Sequence, residues 1–223
     1  MTETVALGLP LAGRCLVQNS PARRVPSHGT DVMATTYAID LVPVDARGRS
    51  AAERDWRTLL ATEPPERFLG FGAPVLAPAG GTVVYIHDGE PDHPARRSRL
   101  ALVPYMLGQA GRLRRGATAL AGNHVVLKLA AGRAYVALVH LQRGSIRVGQ
   151  GQVVQPGQQL AACGNSGNST EPHVHLQVMD GADPMTASGV PMAFTRFREY
   201  RRGTNRIVEF DLPAEGSVIE PAR

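Results

Sequence analysis

The chain has 223 residues, and at 43% hydrophobic and 19% charged it is globular in composition and not disordered. Its formal charge of +5 is carried by arginine, with Lys128 the single lysine; this suits an anionic partner, but the plainer reading is a solvated arginine-rich surface. The basic clusters Arg96, Arg97, Arg99 and Arg112, Arg114, Arg115 lack interleaved aromatic residues, so no nucleic-acid partner is expected.

The first residues, MTETVALGLPLAG, contain an apolar stretch but no positive n-region, and a proline interrupts them. No classical export signal is read there. As written, the chain is expected in the cytoplasm, or outside it at the cell wall if it begins further upstream or leaves by another route. No run approaches the roughly 20 apolar residues that a membrane span needs, so none is expected. The 24 glycines and 17 prolines favour many short strands and exclude helical bundles. One domain over 1–223 is expected, with an N-terminal extension at 1–24, an arginine-rich insertion at 91–122 and a C-terminal extension at 189–223. Nothing in the pattern speaks to oligomeric state.

In chain order, TYAIDLVPVD reads as a strand with Tyr37, Ile39 and Leu41 on one face and Ala38, Asp40 and Val42 on the other. Residues 50–62 space Ala52, Trp56, Leu59 and Leu60 as one face of a short helix. From residue 72 the texture is strand, turn, strand, interrupted by the insertion and resumed at HVVLKLAAG, RAYVALVHL and HVHLQVMDG. Such spacing predicts antiparallel sheets packed on each other. The tail, with Phe194, Phe197 and Tyr200, is expected to fold back on the sheet and fray at Pro221. Cys15 and Cys163 leave one bridge open as a possibility, but without a CxxC they make no thiolate zinc site.

His173-Val174-His175 is the sharpest local feature. In a strand, residues two apart share a face, so both imidazoles project together while Val174, Leu176 and Val178 face a core. The pair reads as one metal ligand and one acid/base group, or as a surface pair of hydrogen-bonded histidines. RAYVALVHL sets Val136, Leu138 and His140 on one face, with His140 at the strand end. His28 lies in a loop between Ser27 and Gly29. Asp40 is the one carboxylate inside an apolar strand, where it needs an arginine, a capping role or a metal. Two histidines and an aspartate would leave a fourth tetrahedral position for water, the arrangement of a hydrolytic zinc site.

Taken together, the strand-terminal His140-Leu141, the Val148-x-x-Gly151-x-x-Val154 turn, Gly164-Asn165-Ser166-Gly167 and Pro172-His173-x-His175 resemble the lysostaphin/LytM-type zinc metallopeptidases. These enzymes cleave peptides of bacterial cell walls. The resemblance is strongest over 122–178 and extends through FGAPVLAPAGGTVVYIHDG at 71–89. It implies a compact antiparallel β-sandwich of the duplicated hybrid barrel type, with the site in a groove on one sheet. It also implies one zinc ion held by His28, Asp40 and His175, catalytic roles for His140 and His173, and a peptide or peptidoglycan stem or cross-bridge as substrate. The family's usual His-x-x-x-Asp spacing is not kept between His28 and Asp40, and Asp31 is the rival ligand. Asn165 and Ser166 are expected to shape a substrate groove that His124 also lines, whereas His87 and His93 are expected to be solvated loop residues. A catalytically inactive binding or regulatory module on the same scaffold is the alternative. A lipoyl-type carrier is excluded because Lys128 lies mid-strand, and a phosphotransfer domain has no use for the additional aspartate.

Overall fold

Alternating β-branched and leucine residues between glycine and proline turns form strands throughout a computed structural model, which describes residues 4–53, 55–98, 116–201 and 203–222. The strands are β1 Val5–Leu7, β2 Cys15–Gln18, β3 Ile39–Pro43, β4 Pro74–Leu76, β5 Gly81–His87, β6 Asn123–Leu129 and β7 Tyr135–Leu141. They continue with β8 Val153–Val154, β9 Gln159–Ala162, β10 Val174–Met179, β11 Met192–Arg201, β12 Thr204–Asp211 and β13 Val218–Pro221. Helix is confined to α1 Trp56–Leu60, α2 Ala117–Ala121 and two short 3-10 turns, among the described residues. The expected mainly β class is borne out.

Eleven strands share one sheet, in the order β1-β11-β13-β2-β3-β10-β7-β6-β5-β8, with β12 paired to β11. Pairing is antiparallel except between β1 and β11. Strands β4 and β9 form a separate two-stranded sheet. One apolar cluster joins Leu127, Val136, Leu138 and Leu176 of the large sheet to Val75 and Leu160 of the small one. The strand order runs from β1 to β8 without closing into a barrel.

Several expectations change. From residue 4 on, the expected N-terminal extension is built into the main sheet through β1 and β2. Nor does the tail fray at Pro221: β13 lies between β11 and β2, and Pro221 pairs opposite Phe197. Phe194 and Phe197 are fully buried. The helix over 50–62 shrinks to α1, and Trp56, Leu59 and Leu60 are 61%, 71% and 61% exposed. Ala51 instead bridges to Phe68 in extended conformation and packs with Phe68 and Ala95, so the first half of that segment belongs to a loop. Tyr37 falls in the turn 32–37 ahead of β3, whose five residues are buried on both faces. Cys15 and Cys163 are both buried free thiols; burial pushes the Cys15 thiol up to about 12 and raises that of Cys163 as well. Arg99, Arg112, Arg114 and Arg115 of the basic insertion lie outside the described residues.

Candidate metal centre

Strand periodicity builds the site. In β10, Val174, Leu176 and Val178 enter the main core, so His175 and Gln177 face the other way with His173 just ahead of them. Antiparallel pairing sets Asp40 of β3 directly opposite His175. The His175 Nδ1 atom lies 2.9 Å from Asp40 Oδ1. His28 arrives from the loop before β3 and sets Nε2 3.1 Å from Asp40 Oδ2. One ligand atom from each of His28, Asp40 and His175 falls within 4.8 Å of the others. Asp31 stands apart: it is exposed, and its carboxylate accepts from Thr36 Oγ1 at 2.8 Å.

His140 departs from the expected face. The β6–β7 register slips between Asn123 and Val125, and His140 takes a left-handed backbone with φ 63°. Its ring therefore joins the cavity side, where Ala137 and Val139 lie, and not the core side with Val136 and Leu138. Its Nδ1 donates to Ser166 O at 2.9 Å. The ring centroid is 4.8 Å from that of His173 and 5.9 Å from that of His175. His173 Nδ1 donates to Glu171 O at 2.8 Å, which leaves Nε2 on the Asp40 side, 3.6 Å from Oδ1.

Charge is uneven across this group. Burial alone would raise the Asp40 carboxyl, but the charge of His173 and its contacts with His173, His175 and His28 outweigh burial and hold it well below the usual carboxylate range. Burial pushes His140 down, and the neighbouring His173 and His175 push it further. For His173 burial also lowers the value, yet the Asp40 carboxylate more than reverses it and the ring is raised.

A divalent cation fits these donors. Ser27 Oγ lies 3.1 Å from Thr35 O and 3.0 Å from His28 Nδ1, and so anchors the far side of the His28 ring. That anchor leaves Nε2 directed at the Asp40 carboxylate. Two imidazole nitrogens converging with one carboxylate are a zinc-type donor set.

The group opens into a cavity of about 590 Å³ whose lining includes His28, Asp40, His140, His173, His175 and His124. His124 Nδ1 donates to Gly122 O at 2.7 Å, its ring stacks on Tyr85, and burial lowers its pKa. Asn165 and Ser166 do not line the cavity. Asn165 is buried and donates from Nδ2 to His93 O at 2.6 Å, while Ser166 Oγ donates to Leu141 O at 2.8 Å and accepts from Asn123 N at 3.0 Å. They brace the backbone that holds His140. His93 is tied down too, with Nε2 donating to Gly167 O at 2.9 Å, and His87 lies beside His124 with ring centroids 5.8 Å apart. Two further site residues escaped sequence reasoning. Asn19 donates to Asp40 Oδ2 at 2.7 Å, and Gln177 Oε1 lies 3.0 Å from His175 Nε2. The period of two that flagged His173 and His175 also reaches Gln177; nothing local marks Asn19.

Fold and donor set together define a β protein with a two-histidine, one-aspartate centre flanked by two further histidines. Residues 108–187 match the model of Peptidase family M23, which bears out the resemblance to the lysostaphin/LytM-type peptidases over that segment. Among solved structures, the chain is similar to the catalytic domain of the antimicrobial peptidase lysostaphin from Staphylococcus simulans, at 19% identity, covering 69% of this chain and 74% of that one with a TM-score of 0.39. It is also similar to a mutant catalytic domain of the prophage-encoded M23 protein EnpA from Enterococcus faecalis, at 22% identity, 64% and 81% coverage and a TM-score of 0.36. A zinc-containing peptidase from Vibrio cholerae matches at 19% identity, 68% and 50% coverage and a TM-score of 0.34.

Proposed function

We propose that this protein is a zinc-dependent endopeptidase acting on short or peptidoglycan-type peptides. The observation that carries the reading is the convergence of His28 Nε2 and His175 Nδ1 on one buried carboxylate, Asp40, beside a second histidine pair. The M23 family match over residues 108–187 supports it, and the resemblance to the lysostaphin/LytM-type peptidases points to wall peptides as the substrate class.

His28, Asp40 and His175 would hold the ion. When bound, zinc supplies a Lewis acid that polarises a peptide carbonyl and makes water acidic enough to ionise near neutral pH. His140, with its Nδ1 proton given to Ser166 O, keeps Nε2 free to take a proton from the attacking water and return it to the leaving amine. His173, anchored through Nδ1 on Glu171 O, turns Nε2 toward the cavity, where its protonated form donates to the developing oxyanion. The buried setting of both rings strengthens these interactions by excluding water.

The test is hydrolysis of purified peptidoglycan and of cross-linked wall peptides by the full chain. New amino groups should appear, be lost on chelation and return with zinc. A chain that holds one zinc yet releases no amino groups from any of these substrates would overturn the peptidase reading and leave a binding module.

A further inference from the structure

We infer that Gln177 is a positioning residue that fixes the tautomer and aim of His175; the assignment rests on the zinc reading above. Gln177 is 4% exposed, and both ends of its amide are spoken for. Its Nε2 donates to Met33 O at 2.8 Å and contacts Met179 Sδ at 3.0 Å. A backbone carbonyl only accepts, so the amide nitrogen must face Met33 and the amide oxygen must face His175. That oxygen, 3.0 Å from His175 Nε2, only accepts in turn, so Nε2 carries the ring proton. The nitrogen left to take a metal is then Nδ1, the atom 2.9 Å from Asp40 Oδ1.

Each link follows from the one before it, and the first is a backbone feature. Met33 and Ala34 are consecutive non-glycine residues in the left-handed region, at φ 59° and φ 60°. This turn brings the Met33 carbonyl to Gln177. A conformation that side chains rarely adopt is thus held in the rim of the cavity, and its carbonyl orients an amide that orients an imidazole.

The test uses the purified full chain, a chromophoric chelator competing for zinc, and two variants. Gln177→Leu removes the acceptor and should weaken zinc binding about 10- to 100-fold, the usual effect of losing such a partner. Gln177→Glu keeps an acceptor toward His175 and should hold zinc at close to wild-type affinity. It should nonetheless lower the thermal midpoint of the metal-free chain, because a carboxylate cannot donate to Met33 O. Long-range 15N–1H spectra of the zinc-loaded wild type give a readout independent of variant folding. His175 should show a protonated Nε2 and a metal-bound Nδ1. Equal affinity for Gln177→Leu and wild type, or a protonated Nδ1 in the spectrum, overturns the assignment while leaving the zinc reading intact. If the wild-type chain binds no zinc, both fall together.

Discussion

His140 and His175 approach the same cavity with different anchors, and their substitutions should separate accordingly. His175 shares Asp40 with His28, so His175→Ala should abolish zinc retention and activity together, as read by metal analysis after dialysis. His140 leans on Ser166 O and is not one of the three converging residues, so His140→Ala should keep its zinc and lose about 10²- to 10⁴-fold in turnover. Loss of metal in His140→Ala with retention in His175→Ala would reverse the division of roles. At this scale the sequence was readable where strand periodicity applied, as for His173 and His175. It misled for His140, because a left-handed residue at a register slip flips the side chain to the other face. Asn19 was invisible, since its approach to Asp40 depends on a positive φ just after β2 that no local pattern announces.

Elements meet through close backbone contacts and one buried ion-pair cluster. Gly167 has φ 69°, and a Cβ added there would collide with Gly122 N and Leu120 O. The space a side chain would need at Gly167 is taken by the segment before β6. Gly167→Ala should lower stability by more than about 1 kcal/mol in urea unfolding. It should also reduce turnover more than zinc affinity, because it moves the Ser166 carbonyl that holds His140. Glu63, fully buried, receives both arms of Arg97, at 2.8 Å to Oε2 and 2.6 Å to Oε1, and a further proton from Thr58 Oγ1. Burial alone would raise its carboxyl, but the hydrogen bonds and charge of Arg97 prevail and hold it below the usual range. A folded value below the unfolded one stabilises the protein above the unfolded pKa of about 4.3, and that contribution disappears as pH falls through the folded value. Urea midpoints measured from neutral to acid pH should therefore fall for wild type, and Glu63→Gln should start lower and lose part of that slope. This cluster could not be read in advance. It joins the bridge at Glu63 and Ala95 across a segment where the sequence predicted a longer helix.

For the whole molecule, the adjacency β3-β10-β7 is what assembles the centre, drawing residues 28, 40, 140, 173 and 175 to one face of one sheet. The β class, the core face of β10 and the strands around 122–178 followed from apolar alternation and turn punctuation. The placement of β1, β2 and β13 inside the sheet did not, because these short strands are pinned by partners distant in sequence. Among the described residues, no arginine or lysine lines the cavity. An anomalous difference map at the zinc edge, from crystals of the purified chain, tests the central claim most directly. The account predicts a single peak at about 2.0–2.2 Å from His28 Nε2, an Asp40 carboxylate oxygen and His175 Nδ1. A map without density among those three side chains, or with the ion held elsewhere, would contradict it.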